Sequence, residues 1–234
     1  MTENHDRSPK FLSLAVHEFR TPVSVVSGCL RMLLRHHGGS MTEQQRTLVE
    51  LSEKSCGSLV ALLADLSDLA QLEGSHTTTR REPVRLMPLL AEVARDVHEG
   101  EDRGITFDVR PDGVDVQVLG DRARLAAAFS ALAAAVLRER AEASPMLAAY
   151  RVLDEPGGRF VNTAITDASA IDATLDCREH EAFDEYRGGL GFRILLASHI
   201  VAAHGGRILS PAAARGRLAI VVSLPVAPDA ERNR

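Results

Sequence analysis

The chain has 234 residues, of which 45% are hydrophobic, 25% charged and 4% aromatic, with a formal net charge of -5. That length supports one or two packed domains, while the acidic balance and the absence of tryptophan exclude a basic, base-stacking surface of the kind that binds nucleic acid. Cys29, Cys56 and Cys177 are odd in number, widely spaced and without a Cys-x-x-Cys pair, which excludes a disulfide framework or zinc site and points to a reducing cytoplasm.

Residues 1–9 are polar and read as a flexible leader. No basic-then-apolar signal peptide opens the chain, and the longest apolar stretch, Leu125 to Leu137, is interrupted by Ser130 and too short to cross a bilayer. No membrane partner is expected, and any input signal is expected from a protein partner or a small ligand. From Leu12 the apolar residues fall at Leu12, Val16, Phe19, Val23, Val26, Leu30 and Leu33, a spacing of four and three that marks a helix packing on other helices. It predicts a helix from about Pro9 to His37, stopped by Gly38-Gly39 and kinked at Pro22, which cannot donate to the carbonyl of Glu18. His17 falls on the rim of the seam, with Thr21 one turn later. Ser40 or Thr42 then caps a second helix running to about Glu73, with Leu48, Leu51, Leu59, Leu62, Leu66 and Leu69 on one face. Two long helices joined by a tight turn form an antiparallel hairpin. A single hairpin has only one partner for its seam, so two chains are expected to pair as a four-helix bundle.

Gly74 to Arg81 is a polar linker. Beyond it, Leu86 to His98 reads as an amphipathic helix, and Ile105 to Arg110 and Val114 to Leu119 as strands around the Pro111-Asp112-Gly113 turn signal. Arg122 to Arg140 is an alanine-rich helix. Leu147 to Leu153 and Phe160 to Thr166 form a hairpin across Glu155-Pro156-Gly157-Gly158. Phe192 to His204 is a helix closed by Gly205-Gly206, and Leu218 to Leu224 is a final strand. The fold class is α+β: a helical hairpin followed by an α/β sandwich with helices on one face of a mostly antiparallel sheet. The expected division is a leader over 1–9, the hairpin over 10–74, a linker over 75–82, the sandwich over 83–226 and a tail over 227–234.

His17-Glu18-Phe19-Arg20-Thr21-Pro22 resembles the phosphoacceptor box of two-component sensor histidine kinases, matching its His-Glu-x-x-Thr/Asn-Pro pattern at His17, Glu18, Thr21 and Pro22. The resemblance implies that His17 carries a phosphoryl group, that Glu18 takes the proton of the other ring nitrogen, and that Thr21 orients water for dephosphorylation of a response regulator. Arg20 is read either as a solvated charge or as a contact to phosphate or to the regulator. The order of elements after the linker resembles the family's ATP-binding domain, the fold shared with gyrase-type ATPases. Gly188-Gly189-Leu190-Gly191-Phe192, running into Ile200-Val201-Ala202-Ala203-His204-Gly205-Gly206, is similar to its second glycine box, where backbone N–H groups before a helix meet phosphate.

Several positions depart from the family pattern. The asparagines that hold magnesium in the family align with Ala131 and Ala135, which have no oxygen for a cation that demands oxygen ligands. The first glycine box reads Asp167-Ala168-Ser169-Ala170-Ile171; Asp167 is either an adenine contact or a strand-end turn residue. The expected ATP lid, Asp172 to Arg187, is acidic and would repel a nucleotide. ATP and magnesium are thus expected only if the degenerate site of Asp167, Gly188, Gly189 and Gly191 still binds. Three functions follow from the resemblance. The first is a phosphorelay or regulator phosphatase working through His17 with a response regulator receiver domain. The second is an ATP-dependent histidine kinase. The third is a non-catalytic scaffold binding another histidine kinase or a regulator.

Overall fold

The computed structural model describes residues 7–35, 39–74, 81–97, 105–110, 115–139, 144–183, 192–211 and 219–228. Its contacts divide the chain into two units, Met1–Thr77 and Thr78–Arg234.

The first unit is two helices packed on one another, α1 (Arg7–Leu34) and α2 (Glu43–Gly74). α1 runs through Pro22 without ending, so proline costs it one hydrogen bond and not the helix. Of the two candidate caps for α2, Thr42 takes the role. Its Oγ1 accepts from the Gln45 N–H at 3.2 Å while Gln45 Oε1 accepts from the Thr42 N–H at 2.9 Å, a capping box in which each residue satisfies a donor the helix leaves orphaned. Arg31 and Glu53 join the helices at 2.9 Å.

The apolar seam of α1 splits along the heptad. Val16 is buried, and Val23 and Leu30 are half-buried, whereas Phe19, Val26 and Leu33 stay 62%, 50% and 38% exposed. On α2 the withdrawn positions include Val49, Glu53, Cys56, Leu63 and Leu66. Of the stripe expected on one face of α2, Leu48, Leu51, Leu59 and Leu62 are exposed within the hairpin while Leu66 is half-buried. A broad apolar stripe has two flanks, and a hairpin uses only one.

The second unit holds, in chain order, β1 (Glu82–Arg85), α3 (Leu86–Asp96), β2 (Phe107–Val109), β3 (Gln117–Gly120), α4 (Arg122–Arg138), β4 (Met146–Glu155), β5 (Gly158–Asp167), α5 (Ile171–Asp176), β6 (His180–Ala182), α6 (Phe192–Ala203), β7 (Arg207–Pro211) and β8 (Ile220–Pro225). The main sheet runs β2-β4-β5-β8-β7-β6, and β1 pairs with β3 apart from it. Every pairing is antiparallel except β2 with β4. The two strands expected around residues 111–113 form but do not pair with each other: β2 joins β4 and β3 joins β1, while residues 111–114 lie outside the described ones. The β4–β5 hairpin has the expected place, with Gly158 at a φ of +127° beside the turn, a backbone state that favours glycine.

Side chains alternate between the faces of the sheet. Ala148, Tyr150, Val161, Thr163, Ile165, Ile220, Val222 and Leu224 are all buried on one face, that of the layer built by α3, α4 and α6, in which α4 packs on both of the others. Ala149, Ala164 and Val221, on the other face, pack against Ile171 and Leu175 of α5. A short fourth helix therefore covers part of the face that the sequence reading left bare.

A buried histidine joins α6 to the start of α4. His204 is 3% exposed; its Nε2 accepts from the Asp121 N–H at 3.0 Å, and its Nδ1 lies 2.7 Å from the Ile200 carbonyl, to which it donates. Asp121 in turn caps α4 by accepting from the Arg124 N–H at 3.1 Å. The ring lies so close to Gly120 that a Cβ there would sit 2.4 Å from its Cδ2. Gly120→Ala should therefore destabilise the unit by about 1–3 kcal/mol, the usual range for overpacking, read as a lowered midpoint in urea at unchanged slope.

Burial pushes the His204 imidazole below its ordinary value of 6.5, helped by the charges of Arg81 and Arg124 and opposed by the Ile200 carbonyl and Asp121. The folded chain thus binds fewer protons than the unfolded one just below 6.5, so stability is full above that pH and falls as the medium acidifies. His204→Gln should flatten the stability profile between pH 7.5 and 5.5. The slope that remains includes His180, which desolvation and Arg207 lower in the same direction.

Candidate functional site

The hairpin displays a compact polar group on α1. Val16 is buried, and the next residue, His17, turns outward: its side chain is 75% exposed and that of Glu18 is 74% exposed. Glu18 Oε1 lies 3.9 Å from His17 Nδ1, outside hydrogen-bond range but close enough for a side-chain rotation to close the gap. Arg20 and Thr21 are exposed as well, Thr21 one turn beyond His17 on the same face. The expectation of an accessible rim histidine is met in the geometry of its own unit. An exposed neutral imidazole with a carboxylate near one nitrogen is suited to nucleophilic attack through the other.

The nucleotide-like region of the second unit is built differently. Asp167 ends β5 and is 9% exposed; Ser144 Oγ donates to its Oδ1 at 2.6 Å, and its carbonyl accepts from the Ala170 N–H in a turn leading into α5. Ser144 escaped the sequence reading because no spacing links it to Asp167. Ala131 is half-buried and Ala135 fully buried on α4. Where the resemblance places magnesium ligands the helix thus presents methyl groups, which do not fit a hard cation. Among the described residues no group of three or more His, Cys, Asp or Glu is placed to hold a metal ion. Gly188, Gly189 and Gly191 lie outside the described residues.

The expected acidic lid needs correction over its first part. Asp172 to Asp176 is helix α5, docked on the sheet. Arg110 holds Asp172 by two bonds of 2.6 and 3.2 Å, and Arg151 holds Asp176. The Arg110 bond keeps the Asp172 carboxyl below its ordinary range. Residues 180–182 form the edge strand β6. Two of the acidic charges are therefore compensated by arginines from other strands or their ends, a pairing that only the fold brings about.

A helical hairpin bearing an exposed His-Glu pair, followed by a sandwich with helices and a mostly antiparallel sheet, is the arrangement that the resemblance to histidine kinases implies. Comparison with known proteins agrees. Residues 10–75 match the His Kinase A (phospho-acceptor) domain. The signal transduction histidine-protein kinase BaeS of Escherichia coli (strain K12) is 26% identical over 100% of this chain and 50% of its own length. The phosphate regulon sensor protein PhoR of Pseudomonas aeruginosa is 27% identical over 85% of this chain and 45% of its own. Full-length ShkA, crystallised with AMPPNP, superposes with a TM-score of 0.65 at 25% identity over 94% of this chain and 46% of that one. The Acinetobacter baumannii histidine kinase AdeS shares the fold at a TM-score of 0.55 and 15% identity, over 91% of this chain and 98% of that one. Across most of its length the chain is thus similar to histidine kinases of two-component signalling, with the phosphoacceptor domain of that family over residues 10–75. It spans half or less of the length of these two curated relatives, and no helix among its described residues is long and apolar enough to cross a membrane.

Proposed function

We propose that this protein is a phosphorelay member of the histidine kinase family, in which His17 exchanges a phosphoryl group with the aspartate of a response regulator receiver domain while ATP binding by the second unit is impaired. One contrast carries the reading: the exposed His17, Glu18 and Thr21 are kept together on α1, whereas Ala131 and Ala135 stand on α4 where magnesium needs oxygen.

In the uptake direction, His17 Nε2 attacks the phosphorus of the aspartyl phosphate. The bond from phosphorus to the aspartate oxygen breaks, and its electron pair leaves with the carboxylate. Glu18 accepts a hydrogen bond from Nδ1–H and offsets the positive charge that builds on the ring. Phosphoryl transfer asks little more of a protein than in-line positioning and charge compensation. Return transfer to a second receiver reverses these steps. Thr21 directs water for regulator dephosphorylation, and a homodimer formed by the exposed leucine stripes presents the histidines. Its three free cysteines suit the reducing cytoplasm, where we place this exchange.

A second reading, an ATP-dependent histidine kinase, is favoured by the likeness to ShkA, whose structure holds AMPPNP. Incubation with radiolabelled ATP and magnesium, beside incubation with a phosphorylated receiver, separates the two. The expected result is label on the chain from the receiver and none from ATP. His17-dependent label from ATP overturns the proposal in favour of the kinase, and no exchange with any receiver leaves the scaffold.

A further inference from the structure

The face of the sheet that α5 partly covers carries a row of polar side chains. Arg151, Asn162, Ser223 and Arg207 stand opposite one another in register across β4, β5, β8 and β7, one rung beyond the apolar rung of Ala149, Ala164 and Val221. Above this row lies a cavity of about 390 Å³ lined by Arg151, Asn162 and Arg207 together with His180, Leu153 and Leu175. It lies toward the turn end of the β4–β5 hairpin, away from Asp167 and on the face opposite the layer that holds α4.

Asn162 is 6% exposed and Ser223 is fully buried, yet Asn162 Oδ1, Ser223 Oγ and His180 Nε2 have no hydrogen-bond partner. Buried polar atoms left in this state on central strands cost stability, and an apolar residue of similar size would remove the cost. The charges around them are arranged, by contrast: Arg207 is bound to Glu155 at 2.6 and 2.9 Å, and Arg151 to Asp176. A guanidinium has five donors, so each arginine keeps some after these pairings.

We propose that this cavity binds a small carboxylic acid carrying a hydroxyl or amine donor. Its carboxylate takes the remaining donors of Arg207 and Arg151, and its hydroxyl or amine donates to Asn162 Oδ1 on the floor. His180 Nε2 closes the side as an acceptor or donor according to its tautomer. Asp154, Glu155 and Asp176 also line the cavity, so a polyphosphate is repelled while a molecule with a single carboxylate is accepted. The volume lies near the small end of ligand pockets. Because Leu175 and Asp176 belong to α5, an occupant is sensed by the helix that follows the Asp167 turn.

The test is thermal unfolding of the full chain with L-serine, L-glutamine, L-lactate or L-threonine, with acetate, inorganic phosphate and ATP as controls, followed by calorimetric titration of any probe that raises the midpoint. The expected result is a rise of several degrees with at least one of the four probes and at least a tenfold loss of affinity in Asn162→Leu and in Arg207→Met. Asn162→Leu without ligand should be at least as stable as the parent. Arg207 is half-exposed and its guanidinium stacks over Phe160 at 5.7 Å, so methionine costs little packing there and a variant that folds is in hand if Asn162→Leu does not. No rise with any of the four, an equal rise with acetate or ATP, or a rise that both folded variants retain overturns the proposal and leaves a cavity filled by water alone.

Discussion

A His17→Gln chain mixed with a phosphorylated receiver domain is expected to acquire no acid-labile phosphate, while the parent chain acquires it. Glutamine keeps the length and polarity of the side chain but offers an amide nitrogen whose lone pair is delocalised, so it is no nucleophile. The side chain is 75% exposed, and exposed substitutions of this kind usually leave stability within about 0.5 kcal/mol, so loss of transfer would report chemistry and not unfolding. Glu18→Gln should slow uptake by roughly 10²-fold, the lower range for a positioned proton-accepting group, because the amide cannot offset the ring's charge. Thr21→Ala should leave uptake intact and reduce dephosphorylation of the regulator. If Glu18→Gln transfers at the parent rate, the carboxylate is only a solvated neighbour, and the assigned role fails while that of His17 stands.

A chain carrying both Leu51→Glu and Leu59→Glu is expected to sediment as a monomer at concentrations where the parent sediments as a dimer. Both leucines are exposed, at 61% and 47%, on the α2 stripe that does not face α1. Burying a leucine contributes about 1.5–3 kcal/mol, and a symmetric interface counts each position twice. Four leucines at the lower figure are worth about 6 kcal/mol, or roughly 10⁴-fold in the dissociation constant, before the cost of burying carboxylates is added. Both side chains are largely exposed within the hairpin, so helix content should stay close to the parent's. A double variant that remains dimeric would show that the Phe19, Val26 and Leu33 flank, or another surface, makes the pairing.

Much of the fold could be read in the chain because its signals are local. The four-and-three spacing over Leu12 to Leu33, the Thr42 and Gln45 pair, the Pro156-Gly157 turn and the Gly205-Gly206 stop each act within a few residues, where propensity and capping decide. The strands β1, β6 and β7 and the helix α5 were missed for the opposite reason. At three to six residues each, they are too short to show a period, and they exist because the sheet supplies their partners.

The site divides along the same line. Six consecutive residues around His17, on a strongly periodic helix, determine by themselves that an imidazole, a carboxylate and a hydroxyl share one exposed stretch, since helix geometry alone projects them. Which leucine stripe stays open to a second chain, which arginines neutralise Asp172 and Asp176, and which row of strands leaves Asn162 and Ser223 without partners were decided only by tertiary structure. Those facts join residues far apart in the chain, such as Arg110 with Asp172 and Ser223 with Arg207. No local preference encodes such contacts; they follow from the register of the strands and the side on which each helix docks.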